Sequence, residues 1–171
     1  MFWELIGAIA LGVGAGGFAM ALRKLSGGRL PGWLVPAAAG IGMIGYSVYM
    51  DYAWGPRARD GLPAGLVVVE SAAAPTWFKP WTWVSPPEER FAALDVAAAR
   101  RNDAAPGMRL ATLYFYDRRM PPAAMDLLAD CPGSRLGQVP QGAALGDAGL
   151  PEGVRWRGAE AGDPVLSALC G

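Results

Sequence analysis

Few side chains in this sequence are equipped for chemistry. The 171 residues include no His, two Cys and only two Lys, Lys24 and Lys79. Without imidazole, a Ser or Cys nucleophile lacks its usual base, and zinc and haem iron lose a common nitrogen ligand. Acid and base work would fall to carboxylates such as the adjacent Glu88 and Glu89, or Asp117 beside Arg118. Sequence neighbours of this kind form a solvated turn far more often than a convergent pair, and general acid–base catalysis needs both groups aimed at one reacting atom. The cysteines, Cys131 and Cys170, lack Cys-x-x-Cys spacing and have no His to depress a thiol pKa. They are expected to bond to each other in an oxidising compartment. Closing a loop of about 40 residues would stabilise by roughly 4 kcal/mol on the chain-entropy model. No catalytic residue, cofactor site or metal site is predicted, and the chain is not expected to be an enzyme.

The remaining residues of interest are aromatic. Trp77, Phe78, Trp81 and Trp83 fall within a proline-punctuated stretch, Pro75-Thr-Trp-Phe-Lys-Pro-Trp-Thr-Trp-Val-Ser-Pro-Pro. The prolines argue against a helix, and the period-two spacing of Trp81 and Trp83 predicts one face of an extended segment. Such a cluster either lids a small core or grips a partner, because aromatic side chains bury large areas wherever they lie.

The elements that must position these groups begin in lipid. Residues 5–22 and 30–50 contain no charged side chain, and at about 1.5 Å of rise per residue they would reach roughly 27 and 31 Å. That matches a hydrocarbon core of about 30 Å, so the sequence predicts a transmembrane helical hairpin over residues 1–54. A cleavable signal would have a basic leader and a small-residue cleavage site, whereas this chain opens Met-Phe-Trp-Glu. Arg23, Lys24 and Arg29 lie in the loop between the spans, which places that loop in the cytoplasm and both termini on the periplasmic side. Trp3, Trp33, Tyr46, Tyr49, Tyr52 and Trp54 are candidate interfacial anchors. The small-residue pairs Gly12 with Gly16 and Ala38 with Gly42, together with Gly45, allow close helix packing, either between the two spans or against a larger membrane protein. No ionisable residue interrupts either run, which disfavours an ion path.

Formal charge is zero and thirteen of the 15 basic residues are Arg, scattered rather than striped. That excludes a nucleic-acid partner. Residues 55–64 are expected to be a linker, and residues 65–171 a periplasmic domain. Strands are predicted at 65–70, 88–94, 108–116, 123–131 and 154–157, a helical turn at 96–101, loop over 133–149, and a terminal helix at 165–170 behind Asp163-Pro164. The class is α+β: the two-helix hairpin followed by a small, mainly antiparallel β domain with one disulfide.

Arg90-Phe91 through Asp95, the strand around Tyr114, Asp130-Cys131, Trp156, and Asp163-Pro164 ahead of Cys170 together resemble the small secreted domains of the surface-adhesin E type. The resemblance covers about 80 residues and implies an envelope-exposed binding domain with a disulfide and no catalytic residues. The sequence departs from that family at its two-span anchor. The function expected is that of a non-catalytic accessory or assembly subunit of a bacterial inner-membrane complex, in respiratory or photosynthetic electron transfer. Its partners would be the lipid bilayer and a larger integral membrane complex. The alternative is an autonomous, membrane-anchored envelope binding module using Trp77, Phe78, Trp81 and Trp83.

Overall fold

The computed structural model describes residues 2–102, 105–146, 149–160 and 162–171. Two helices come first, α1 (Phe2–Leu25) and α2 (Leu34–Asp60). They are followed by β1 (Leu66–Ala73), the single turn α3 (Trp81–Val84), β2 (Glu88–Asp95), β3 (Arg100–Asn102), β4 (Ala105–Asp117), β5 (Ala123–Asp130), β6 (Arg135–Gln138), β7 (Arg155–Gly158) and α4 (Pro164–Cys170). The chain forms two compact units. One contains α1, α2 as far as Pro56, and residues 76–87; the other contains residues 57–75 and the described residues from 88 to 171.

In the first unit the helices form an antiparallel hairpin. Apolar residues with good helix propensity carry α1 to Leu25, where Gly27 and Gly28 take positive φ of 65° and 79°. Their N–H groups donate to the carbonyls of Lys24 and Arg23, which satisfies the end of the helix in the manner of a glycine C-cap. Among the described residues, α1 is the one helix long and apolar enough to cross a bilayer, and a signal sequence would pass the same test. Of the two spans expected from the sequence, one therefore meets this test of length and composition, and it packs against the second helix. Tyr46, Ser47, Tyr49 and Asp51 make α2 less apolar. Helix α2 also continues through Pro56 to Asp60, so most of the linker expected at 55–64 is helical.

The second unit is a seven-stranded antiparallel sheet in the order β1-β2-β4-β5-β6-β7, with β3 pairing with β4. The long β4 is its spine, pairing with β2 through residues 113–117 and with β5 through residues 108–115. Side chains two apart share a sheet face, which puts Ala92, Leu94, Ala111, Leu113, Leu127, Ala129 and Leu136 on one side, where Val165 and Leu169 of α4 complete the buried core. Asp163 caps α4 by accepting the N–H groups of Val165 and Leu166 at 2.9 and 3.4 Å. A Cys131–Cys170 disulfide, with Cα atoms 5.8 Å apart, ties the other end of α4 to the β5–β6 turn. The mainly antiparallel α+β domain and its disulfide are as expected.

Three local expectations are corrected. Trp81 and Trp83 lie on a helical turn, not on an extended face: Pro80 occupies the N-cap of α3 and Pro86 follows it, so the prolines bracket the turn without interrupting it. At 96–101 there is a bend and then β3; Asp95 accepts the Ala98 N–H at 2.9 Å and diverts the chain before a helix can propagate. Within the expected loop 133–149, Arg135–Gln138 is a strand because β5 and β7 flank it on both sides. Its own composition, Arg-Leu-Gly-Gln, carries little strand propensity.

The β5–β6 turn closes around one carboxylate. Buried Asp130 accepts Arg135 Nε at 3.0 Å and the Gly133 N–H at 3.0 Å. A Cβ at Gly133 would collide with that carboxylate, so a larger residue there would have to displace the Asp130 side chain from this arrangement. The Arg135 guanidinium, aided by the Gly133 N–H, holds the Asp130 carboxyl below its usual range. A depressed folded-state pKa contributes stability that is fully present above the ordinary aspartate value of about 3.9 and is lost as pH falls through the folded value. Urea midpoints should thus decline below about pH 4, and the Asp130→Asn variant should be less stable at pH 7 with a flatter acid limb; an unchanged limb would refute this assignment.

Candidate functional site

The hairpin seam is made by glycines. A Cβ on Gly42 would stand 3.0 Å from Ala15 Cβ and 3.2 Å from the Leu11 carbonyl, and one on Gly12 would meet Met43 and lie 3.3 Å from the Ala39 carbonyl. At Gly16 the same atom would make ordinary contact with Ala39 and Val35. Gly7, not singled out by the sequence, lies against the Tyr46 ring. Of the expected packing residues, Gly12, Gly16 and Gly42 are at the seam, but Gly45 faces open space. The alanine opposite Gly12 and Gly16 is Ala39, next to the expected Ala38.

At the far end of this seam lies a polar knot that no motif announced. The Asp51 side chain, 2 % exposed, accepts Lys79 Nζ at 2.8 and 3.0 Å and Trp81 Nε1 at 3.1 Å. One turn of α2 provides a second attachment: the Tyr52 hydroxyl, a donor to one carbonyl at a time, lies 2.7 Å from the Ser85 oxygen and 3.2 Å from that of Trp81. Inside the loop, buried Thr82 donates through Oγ1 to the Lys79 carbonyl at 2.7 Å and accepts the Thr76 N–H at 2.9 Å. Trp83 Nε1 donates to the Thr76 carbonyl at 3.1 Å. Residues 76–85 are therefore a self-bonded loop fastened to the end of the apolar run. The available signal in the sequence was sparse: Asp51 is the first charge after residues 30–50, and Lys79 is the sole charge between Pro75 and Pro87.

This knot divides the four aromatic candidates. Trp81 is half-buried with its indole N–H committed to Asp51, whereas Trp77, Phe78 and Trp83 are exposed. Trp77 and Phe78 meet edge to face, with ring centroids 5.6 Å apart. The cluster is an outward-facing surface pinned by one of its members.

The carboxylates considered for acid–base work serve the sheet. Glu88 is ion-paired with Arg59, and Glu89 with Arg119 at 3.0 Å. Asp117 accepts the Arg119 N–H at 2.7 Å, closing the turn after β4. As neighbours on β2, Glu88 and Glu89 point to opposite sheet faces. A shallow cleft of about 400 Å³ beside the stacked rings of Phe91 and Tyr116 is bordered by Arg90, Phe115, Asp117 and Met120. Its lining is mostly apolar, with Glu70, Arg90 and Asp117 as its charged members. Comparison with protein-family models, curated proteins and solved structures gives no match.

Two expectations test this arrangement. Gly42→Leu should destabilise the hairpin by about 1–3 kcal/mol through overpacking, while Gly45→Leu is tolerated; detergent unfolding followed by helical circular dichroism distinguishes them, and equal losses would contradict the seam. Lys79→Met removes the cation paired with the buried Asp51 carboxylate and should cost about 3 kcal/mol. Faster proteolysis within residues 76–87 reports that loss, and adding Asp51→Asn should restore part of the protection.

Proposed function

We propose that this chain is a membrane-anchored, non-catalytic accessory or assembly subunit of a larger integral membrane complex. Its hairpin docks in the bilayer while its sheet domain caps a partner. The supporting observation is the outer surface of the hairpin. Only 17 % of the apolar stretch of α1 is buried, unlike a helix inside a soluble core, and exposed side chains such as Ile9, Val13 and Phe18 point away from the seam on one helix and Ile41 and Ile44 on the other. A continuous apolar surface of this kind calls for lipid or for other helices. Gly14, Gly17, Gly40 and Gly45 have nothing within 4 Å of where a Cβ would lie, leaving small-residue positions free for a further helix, and close backbone approach is what drives helix association in lipid. The packing of Gly12, Gly16 and Gly42 favours a retained anchor over a cleaved signal, because removal of α1 would strip α2 of its seam.

In this reading both helices enter the bilayer. The loop carrying Arg23, Lys24 and Arg29 faces the cytoplasm, and the sheet domain lies in the bacterial periplasm, where the Cys131–Cys170 bond can form. Electron-transfer complexes of respiration or photosynthesis are the host class proposed. The resemblance to surface-adhesin E domains supports a binding role for the sheet. Native membranes extracted in mild detergent and resolved by native electrophoresis should carry the chain in a much larger species. Migration as a lone 17.9 kDa protein with its detergent would overturn the subunit assignment.

A further inference from the structure

The loop of residues 76–85 sits at one height on the hairpin, and that height can be read from the seam. Gly16 lies against Ala39 and Val35, Gly12 against Met43 and Ala39, and Gly7 against Tyr46; continuing this register brings Trp3 level with Met50. Exposed Phe2, Trp3 and Tyr49 therefore occupy the end of the hairpin where Asp51 and Tyr52 fasten the loop. At the opposite end stands exposed Trp33. The 19 residues of α2 from Leu34, next to Trp33, to Tyr52 rise about 28 Å, close to the hydrocarbon thickness of about 30 Å. The side chains that the loop displays at that boundary are Trp77 at 84 % exposure, Phe78 at 57 %, Trp83 at 68 % and Val84 at 90 %.

We propose that residues 77–84 form an interfacial lipid-binding loop, which lays Trp77, Phe78, Trp83 and Val84 into the headgroup boundary of the bilayer that the hairpin enters. This rests on the membrane reading above and adds to it a site and a ligand class: neutral lipid at the glycerol and upper acyl level. Aromatic side chains favour that layer because their apolar bodies leave water while polar edges stay hydrated. The loop is prepared for such a medium. The N–H groups of Lys79, Thr82, Trp83 and Ser85 donate to carbonyls within the same loop, and its one cation, Lys79, is held by Asp51. Recognition therefore rests on apolar burial rather than on lipid phosphate charge, and the loop sets the depth of the anchor.

Nitroxide depth measurements on the full chain in phosphatidylcholine vesicles test this, with the native cysteines kept as their disulfide. A label at Ile41→Cys reports the hairpin and one at Val84→Cys reports the loop. The expected result is a deep Ile41 label and a Val84 label about 5–10 Å below the headgroup boundary. The Val84 depth should be the same in vesicles containing anionic lipid and at high salt, and Trp77→Ser with Phe78→Ser should move it toward water. A Val84 label in water beside a deep Ile41 label overturns the loop assignment and spares the membrane reading; both labels in water overturn the membrane reading and the loop together. A Val84 depth that follows anionic lipid content overturns the neutral-lipid assignment. Binding of a soluble protein to the loop, with the label still in water, also overturns it.

Discussion

A carboxylate that terminates an apolar helical run must be either hydrated or paired, and in this protein Asp51 is paired. Its two oxygens are taken by Lys79 and the Trp81 indole, so the charge is retained at the end of the run without standing in water. Breaking such a pair from one side costs several kcal/mol because the surviving charge has no solvent to return to. The loop that provides both partners is consequently held at a fixed height on α2. What that loop displays, Trp77, Phe78 and Trp83 above all, takes its position from this pairing together with the Tyr52 attachment beside it.

The rest of the hairpin obeys a different economy of forces. In a bilayer there is no hydrophobic drive to bring helices together, and α1 and α2 meet through close backbone approach at Gly12 and Gly42. In the proposed membrane setting, the outward apolar side chains such as Val13, Phe18 and Ile41 would be the contact with lipid. The sheet domain is stabilised by ordinary burial around Leu94, Leu136 and Leu169, reinforced by the cross-link from the β5–β6 turn to α4. Asp130 organises that same turn, so the disulfide enters the domain at a point already fixed by Arg135 and Gly133.

Candidate chemistry and candidate binding were unequally visible in the residues. Glu88, Glu89 and Asp117 attracted notice by adjacency, yet each is absorbed in an ion pair or a turn of the sheet. Asp51 and Lys79 lie 28 residues apart, and no local pattern links them; only a chain that doubles back onto α2 brings them together. Likewise β6 has no intrinsic strand character and exists because its neighbours pair with it, whereas β4 carries its own alternation of aromatic and aliphatic residues and was legible directly.

Composition and periodicity by themselves determined the apolar amino-terminal run, the pairing of the only two cysteines, the strands rich in β-branched and aromatic residues, and the capped terminal helix. These are local matters, governed by hydropathy, propensity and residue count. Tertiary structure decided which glycines form the seam, that Trp81 anchors while Trp77, Phe78 and Trp83 face outward, and that residues 76–87 belong with the helices. The physical reason is that burial and charge pairing act through space between distant segments, and a linear pattern records which residues are able to pair but not which ones meet.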